Sequence, residues 1–263
     1  MAFRPAKAHL DLGPGFFDEV APARFPAHVT RYRNGRWAEV VGLGHLSDEA
    51  WTDHFSRFQP LAGSLPTPIA LRYHGHQFQS YNPDIGDGRG FLFAQCHDET
   101  GRLLDFGTKG SGQTPYSRFG DGRLTLKGGV REVLATTLLE ALGVYTSKSF
   151  SLIETGEALT RGDEPSPTRS SVLVRLSHSH IRFGSFQRLL AENDAVGIAR
   201  LVAHSTRHLH PHAVREDPAE EAAALLAASA TAAGAMVAEW MAAGFVHGVL
   251  NTDNMVVTGE SFD

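Results

Sequence analysis

The sequence predicts an α+β protein of two lobes: an N-terminal lobe with a mixed sheet and one key helix, then a helical lobe. Three observations carry this prediction. Short apolar runs with strand-like alternation, divided by Gly- and Pro-rich turns, fill the chain to about residue 186. One clearly helical stretch, 129–142, stands among them. Beyond residue 186 the apolar residues recur at helical spacing and end in an Ala-rich segment.

In chain order, residues 1–70 mix Pro, Gly and charges with scattered apolar residues, which predicts a wrapping extension with short helices. Within it, 51–58 carries a helical stripe. The N-lobe is expected over 71–186 and the start of the helical lobe over 187–263. Tyr73-His-Gly-His-Gln-Phe-Gln-Ser-Tyr81 gathers two His and three aromatics around a glycine. With no third ligand nearby, ring packing and hydrogen bonds at a turn are expected there in preference to a metal. Strands are predicted at 91–96, 103–109, 149–154 and 171–176, with a Pro- and Ser-containing loop at 164–170. In the 129–142 helix, Val130, Val133, Leu134, Leu138, Ala141 and Leu142 form one apolar stripe and Gly143 ends it. Further helices are predicted near 186–191, over 195–208 and over 219–244.

Composition bounds the function. Hydrophobic residues at 42% and charged residues at 20% describe an ordinary globular protein long enough for a large core. A net charge of -5 argues against a nucleic-acid binder, which needs clustered cations, yet permits a local basic site for a nucleotide. The single cysteine, Cys96, excludes an internal disulfide and a Cys-rich zinc site, and its apolar run predicts a buried strand residue. The N-terminus has no signal-peptide core. The charge-free run 222–238 is mostly Ala, so a buried helix is expected there, not a membrane span. The chain therefore reads as cytoplasmic, with no membrane and no nucleic-acid partner.

Several stretches carry chemistry. Gly86-Asp-Gly-Arg-Gly90 lets backbone amides approach an anion, with Arg89 as a bidentate phosphate partner. Alone the signal is weak, because Gly-Asp-Gly also makes hairpin turns. A second copy, Gly120-Asp-Gly-Arg123, raises the odds that a polyanion is cradled. Lys109 ends a predicted strand and Glu132 lies on the helix 23 residues later, the arrangement by which kinase folds hold nucleotide phosphates. A surface Glu in a first helical turn is the plainer alternative. Arg175 sits inside an apolar strand and Arg182 follows in His178-Ser-His-Ile-Arg. Finally, His247-Gly-Val-Leu-Asn-Thr-Asp-Asn254 has the spacing of the kinase H-x-D-x-x-x-x-N loop, with Asp263 as a further metal carboxylate. The position of the kinase base holds Val249, which accepts no proton, and Asp253 is the carboxylate left inside the motif.

Together these stretches closely resemble the selenoprotein O (YdiU-type) family, kinase-fold protein adenylyltransferases. Tyr73-His-Gly-His-Gln-Phe, both Gly-Asp-Gly-Arg tetrads, Lys109-Gly-Ser-Gly, Thr114-Pro-Tyr-Ser-Arg, Arg131-Glu132, His180-Ile-Arg-Phe-Gly-Ser-Phe186 and the His247–Asn254 loop match in family order. The resemblance implies nucleotide contacts from Gly86, Gly88, Arg89, Lys109, Asp121, Gly122, Arg175 and Arg182, with Glu132 paired to Lys109. It implies Mg²⁺ or Mn²⁺ at Asn254 and Asp263, with Asp263 also at the nucleotide, and Asp253 as proton acceptor. ATP would lie reversed relative to kinases, its α-phosphate facing a Ser, Thr or Tyr hydroxyl of a protein substrate. Where the family carries Leu-Arg-Ser-Ser, this chain has Lys127-Gly-Gly.

The leading expectation is a metal-dependent, monomeric nucleotidyltransferase moving AMP, or UMP from UTP, to protein hydroxyls. Alternatives are an inactive ATP-binding pseudokinase and a kinase. Family members run to roughly twice a domain of this size, so the chain as given is expected to bind ATP without metal-dependent turnover.

Overall fold

In a computed structural model of the chain, residues 2–261 are described. The strands are β1 (Pro5–Ala6), β2 (Phe17–Glu19), β3 (Val29–Arg33), β4 (Ile69–Leu71), β5 (Gly75–Gln77), β6 (Ser80–Asn82), β7 (Leu92–His97), β8 (Leu103–Lys109), β9 (Leu124–Thr125), β10 (Lys148–Leu159) and β11 (Thr168–Ser177), the longer central ones built on Leu-, Phe-, Val- and Ile-rich runs. The α-helices are α1 (Gly35–Val40), α2 (Asp48–Phe55), α3 (Leu126–Ala141), α4 (Phe183–Ala191), α5 (Ala195–His208) and α6 (Pro218–Ala242). One sheet runs β2-β4-β7-β8-β11-β10-β3, with β1 added on β7 and β9 on β11; β5 and β6 form a separate hairpin. The class is α+β.

The sheet expected to be mixed is antiparallel in every strand pair described. Short connections are the reason: β7 turns into β8, and β10 into β11, through loops too short for a crossover helix. Residues before 70 contribute three strands to this sheet and the helix that covers it. Trp51 and Phe55 of α2 pack on Phe150 at ring-centroid distances of 5.0 and 5.1 Å, and Phe106 meets Phe150 at 5.1 Å. Ser47 caps α2, accepting from the Ala50 amide.

The two-residue period of strands then sorts the chemistry. Val172, Val174 and Leu176 of β11, with Leu104 and Phe106 of β8, face the α2 core. The residues between them, Arg175 of β11 and Asp105, Gly107 and Lys109 of β8, turn to the opposite face. That face carries the site.

On the same side α3 lies across β10 and β11, and most of the stripe read from the sequence points away from them, Val133 alone packing against Leu152 and Leu173. Val130, Leu134, Leu138 and Leu142 are exposed, Leu134 at 65% and Leu138 at 60%. The reason is steric. The helix approaches through Gly129, where an added Cβ would come within 2.4 Å of Leu152 and 2.8 Å of the Ser171 hydroxyl. Thr136 then bonds Ser149, and Leu139 enters a cluster with Val144, Met236 and Trp240. Lys127-Gly-Gly thus acquires a packing role at its second glycine.

The helical part packs around Leu189, Leu201 and Leu209, together with Leu12 and Phe16 from the N-terminal segment. The Ala-rich α6, expected to be buried, is mostly exposed: only Leu225, Ser229, Met236 and Trp240 are buried. Those four fall on one stripe, which meets its neighbours; the other sides face no described element. By length and composition α6 is long and apolar enough to cross a membrane.

Candidate active site

The first glycine loop is wedged in place by its neighbours. The Tyr116 ring lies over Gly86, where a Cβ would sit 2.3 Å from the ring, so only glycine fits. Tyr116 donates its hydroxyl to Asp18, which also accepts a two-pronged ion pair from Arg72. Thr114 donates to the Asp87 carbonyl, and Ser117 donates to the Gly88 carbonyl at 2.5 Å. The Thr-Pro-Tyr-Ser segment therefore pins the loop 86–90 from above. In the second loop, Arg161 grips Asp121 with both terminal nitrogens, at 2.8 and 3.1 Å. Partial burial pushes this carboxyl up, but the Arg161 bonds and the Arg123 amide hold it below its ordinary range.

Behind the loops, Lys109 donates to Glu132 at 2.6 Å, joining the end of β8 to the first turns of α3. Arg182 is buried. It pairs with Asp87 at 3.2 Å, donates to the His180 carbonyl at 3.1 Å and stacks its guanidinium 4.1 Å from the Tyr73 ring centre. A buried clip sets its position: the His180 amide donates to Asp105 at 2.9 Å. Burial works against ionising Asp105, and its bonds from His180 and Gln95 still hold the carboxyl below its ordinary range. Gly107 makes room for this clip, since a Cβ there would lie 1.8 Å from His180 Nε2.

The loop after α6 completes the site. His247 stacks on Trp240 at 5.4 Å, which fixes where the loop leaves the helix. Asn254 donates to the Val249 carbonyl at 2.7 Å and accepts from the Asn251 amide at 2.7 Å, closing the loop on itself. Val249, at the kinase-base position, is exposed. Asp253 accepts from Gln77 Nε2 at 3.1 Å through Oδ2, while its Oδ1 is buried with no hydrogen-bond partner among the described residues. The expected metal ligand and nucleotide contact Asp263 lies outside the described residues.

These pieces enclose a cavity of about 670 Å³, lined by Gly86, Gly88, Arg89, Lys109, Asp121, Gly122, Arg175, Arg182 and Asp253. This size suits a small-molecule ligand. Glu132 and Asn254 border a second cavity of about 800 Å³, which shares Arg89 and Lys109 with the first. The first cavity's walls carry Arg89, Lys109, Arg118, Arg123, Arg161, Arg175 and Arg182 against Asp87, Asp121 and Asp253. With Glu132 and Glu157 paired to Lys109 and Arg123, seven cations face five carboxylates, and in a chain of net charge -5 this excess of positive charge favours an anion.

Of the two expected metal ligands, Asn254 lies among the described residues, and its donor is an amide oxygen. That chemistry fits Mg²⁺ or Mn²⁺, which take one or two protein oxygens together with phosphate and water. Among the described residues there is no cluster of three or more His, Cys, Asp or Glu able to hold a metal. At the His74-Gly-His76 turn the rings pack and bond as expected, His74 to the Tyr81 hydroxyl at 2.5 Å and His76 to Gln187 at 3.0 Å. Cys96 is fully buried in β7 and its thiol is pushed well up by burial. Reading the sequence did not single out Asp87, Tyr116, Arg161 or Gln77. All four stood inside quoted motifs or polar loops, and what each one touches is a matter of tertiary approach.

A family description fits this fold and site. The family model for the protein adenylyltransferase SelO matches residues 2–263, and the chain belongs to that family. Its relatives include the protein nucleotidyltransferase YdiU of Synechocystis sp., 53% identical over 255 residues that cover 96% of this chain and 53% of the relative. The protein of the same name from Synechococcus elongatus is 52% identical, covering all of this chain and 52% of the relative. That of Chromobacterium violaceum is 36% identical over 95% of this chain and 51% of the relative. The chain spans about half the length of these curated relatives.

Proposed function

We propose that this chain carries the nucleotide site of a protein adenylyltransferase, which moves AMP from ATP to a Ser, Thr or Tyr hydroxyl of a protein. One observation carries the reading: the loop after α6 has Val249 where a phosphoryl-transfer base would stand, and offers Asp253 to the cation-lined cavity. In its finer form the fold is a kinase-like pair of lobes, 71–186 and 187 onward, braced by residues 1–70. The nucleotide lies between them.

Arg175, Arg182 and Lys109 take the outer phosphates, and Gly86, Gly88, Arg89, Asp121 and Gly122 follow the rest of the nucleotide. The acceptor oxygen bonds to the α-phosphorus, the bond from that phosphorus to the bridging oxygen breaks, and pyrophosphate leaves. The hydroxyl proton passes to Asp253. Glu132 keeps Lys109 directed at the phosphates. A Mg²⁺ or Mn²⁺ ion held by Asn254 and Asp263 would neutralise triphosphate charge. Most of the rate then comes from positioning and from cations set where the leaving group gathers charge. The protein acts as a cytoplasmic monomer on protein substrates.

The test supplies ATP labelled at the α- or the γ-phosphate, with Mg²⁺ or Mn²⁺, to the protein extended to the length of its curated relatives. Protein-bound α label, γ label released as pyrophosphate, and near-abolition by Asp253→Ala are expected. Protein-bound γ label would make the protein a kinase. Labelled UTP in parallel reads the base preference.

A further inference from the structure

The β5–β6 hairpin lies against the loop that carries Asp253, and it does so through several independent contacts. The His76 amide donates to Thr252 Oγ1 at 2.8 Å, and Thr252 in turn donates to Gln187 Oε1 at 2.6 Å on α4. The Gly184 amide donates to the Thr252 carbonyl at 2.9 Å, tying the start of α4 to the same loop. Gly75 allows the approach: a Cβ there would come 2.8 Å from both Asp253 Cβ and Oδ1. The loop is thus held through Thr252, at its hydroxyl and its carbonyl, which leaves the Asp253 side chain to be fixed separately.

That task falls to Gln77. Its Nε2 donates to Asp253 Oδ2 at 3.1 Å, and its Oε1 accepts from Asn82 Nδ2 at 3.3 Å across the hairpin. The Asn82 bond decides which way the Gln77 amide faces: with its oxygen taken by a donor, the nitrogen is the end presented to the carboxylate. One carboxylate oxygen is engaged by Gln77, and the other, Oδ1, is buried against Gly75 with no hydrogen-bond partner among the described residues, while Asp253 as a residue lines the cavity.

We propose that Gln77, oriented by Asn82, is the positioning residue for Asp253, fixing its carboxylate through Oδ2 in the orientation that receives the acceptor proton. The proposal rests on the reading of Asp253 as proton acceptor. A displaced acceptor costs rate more than nucleotide affinity: Gln77 lines the cavity from the hairpin side but belongs to neither glycine-rich loop.

Two variants test it. Gln77→Leu removes the donor, and Gln77→Glu keeps the shape while turning the donor into an anion beside Asp253. In the protein extended to the length of its relatives, both are expected to lower kcat about ten- to a hundred-fold; for the uncharged Gln77→Leu the Kd for ATP is expected to stay within about two-fold and the melting temperature to be unchanged. A packing role alone would leave the isosteric Gln77→Glu active. On the 263-residue chain, the three-bond N–Cγ coupling of Asp253, assigned through Asp253→Asn, reads the side chain without turnover. A single-rotamer value in the parent and averaged values in both variants are expected. Unchanged coupling in both variants, or full turnover by Gln77→Glu while Asp253→Asn is dead, would overturn the proposal alone. Full turnover by Asp253→Asn would overturn it together with the proton-acceptor reading.

Discussion

At the residue scale the site is built from pairs that hold one another. Lys109 and Glu132 share a 2.6 Å bond in a largely buried setting, so either alone is a charge without its partner. Lys109→Ala and Glu132→Ala should each weaken ATP binding by about ten-fold or more. The double variant should cost less than the sum by about 0.5–3 kcal/mol, read by calorimetry in a double-mutant cycle. Strict additivity would mean the two do not cooperate over the phosphates. Gly107 is a sharper case, because it lies on β8 but serves Arg182. Gly107→Ala drives a methyl into the His180 ring, and overpacking of that kind costs about 1–3 kcal/mol or more. Urea unfolding should show the loss, and ATP affinity should fall with it.

At the element scale α3 divides into a face that approaches the sheet through small residues and a face left exposed. Leu134→Gln and Leu138→Gln should therefore change stability by no more than about 0.5 kcal/mol. Leu139→Ala, one position along, empties a cluster shared with Met236 and Trp240 and should cost about 2–5 kcal/mol. Equal costs at all three positions, measured by urea unfolding of the 263-residue chain, would place the stripe against the core after all. The hairpin β5–β6 makes the complementary point. Three residues a side stabilise little alone, and its bonds to Thr252 and Asp253 tie it to the loop it positions.

At the scale of the whole molecule, buried imidazoles set the response to acid. Burial, with neighbouring cations and imidazoles, lowers His9 and His178 to about 4 and His204 to about 3. Each stays neutral in the fold while the unfolded chain takes up a proton below about 6.5, so stability falls as pH drops from 6.5 toward 4. Glu260 acts in the opposite sense. Burial raises it to about 7, so the fold gains from its protonation as pH falls from 7 toward 4.5. The three imidazoles outweigh the one carboxyl, and the other lowered histidines act in the same direction, so the net effect between pH 6.5 and 5 is a loss of stability. Unfolding in urea at the two pH values checks the sign, and a chain as stable at pH 5 as at 6.5 would contradict it.

What the sequence determined by itself was whatever follows from local periodicity and motif spacing. The helix 195–208, the strand 103–109, buried Cys96 and the two glycine tetrads were legible because each signal lies within one element or loop. The gathering of Lys109, Arg175 and Arg182 was legible as a motif set. Tertiary structure alone decided the rest. A strand's period places Arg175 opposite the aromatic face, but only the pairing of β11 with β8 aligns it with Gly107. The stripe on α3 has the right spacing for a core helix, and all of it but Val133 faces outward because Gly129 admits the sheet more closely than any leucine would. Gln77 and Asp253 are 176 residues apart, and no local pattern links an amide to a carboxylate across that distance. Periodicity reports which side of an element is apolar; which neighbour covers it, and which polar atoms meet, depends on contacts that close only when the chain has folded.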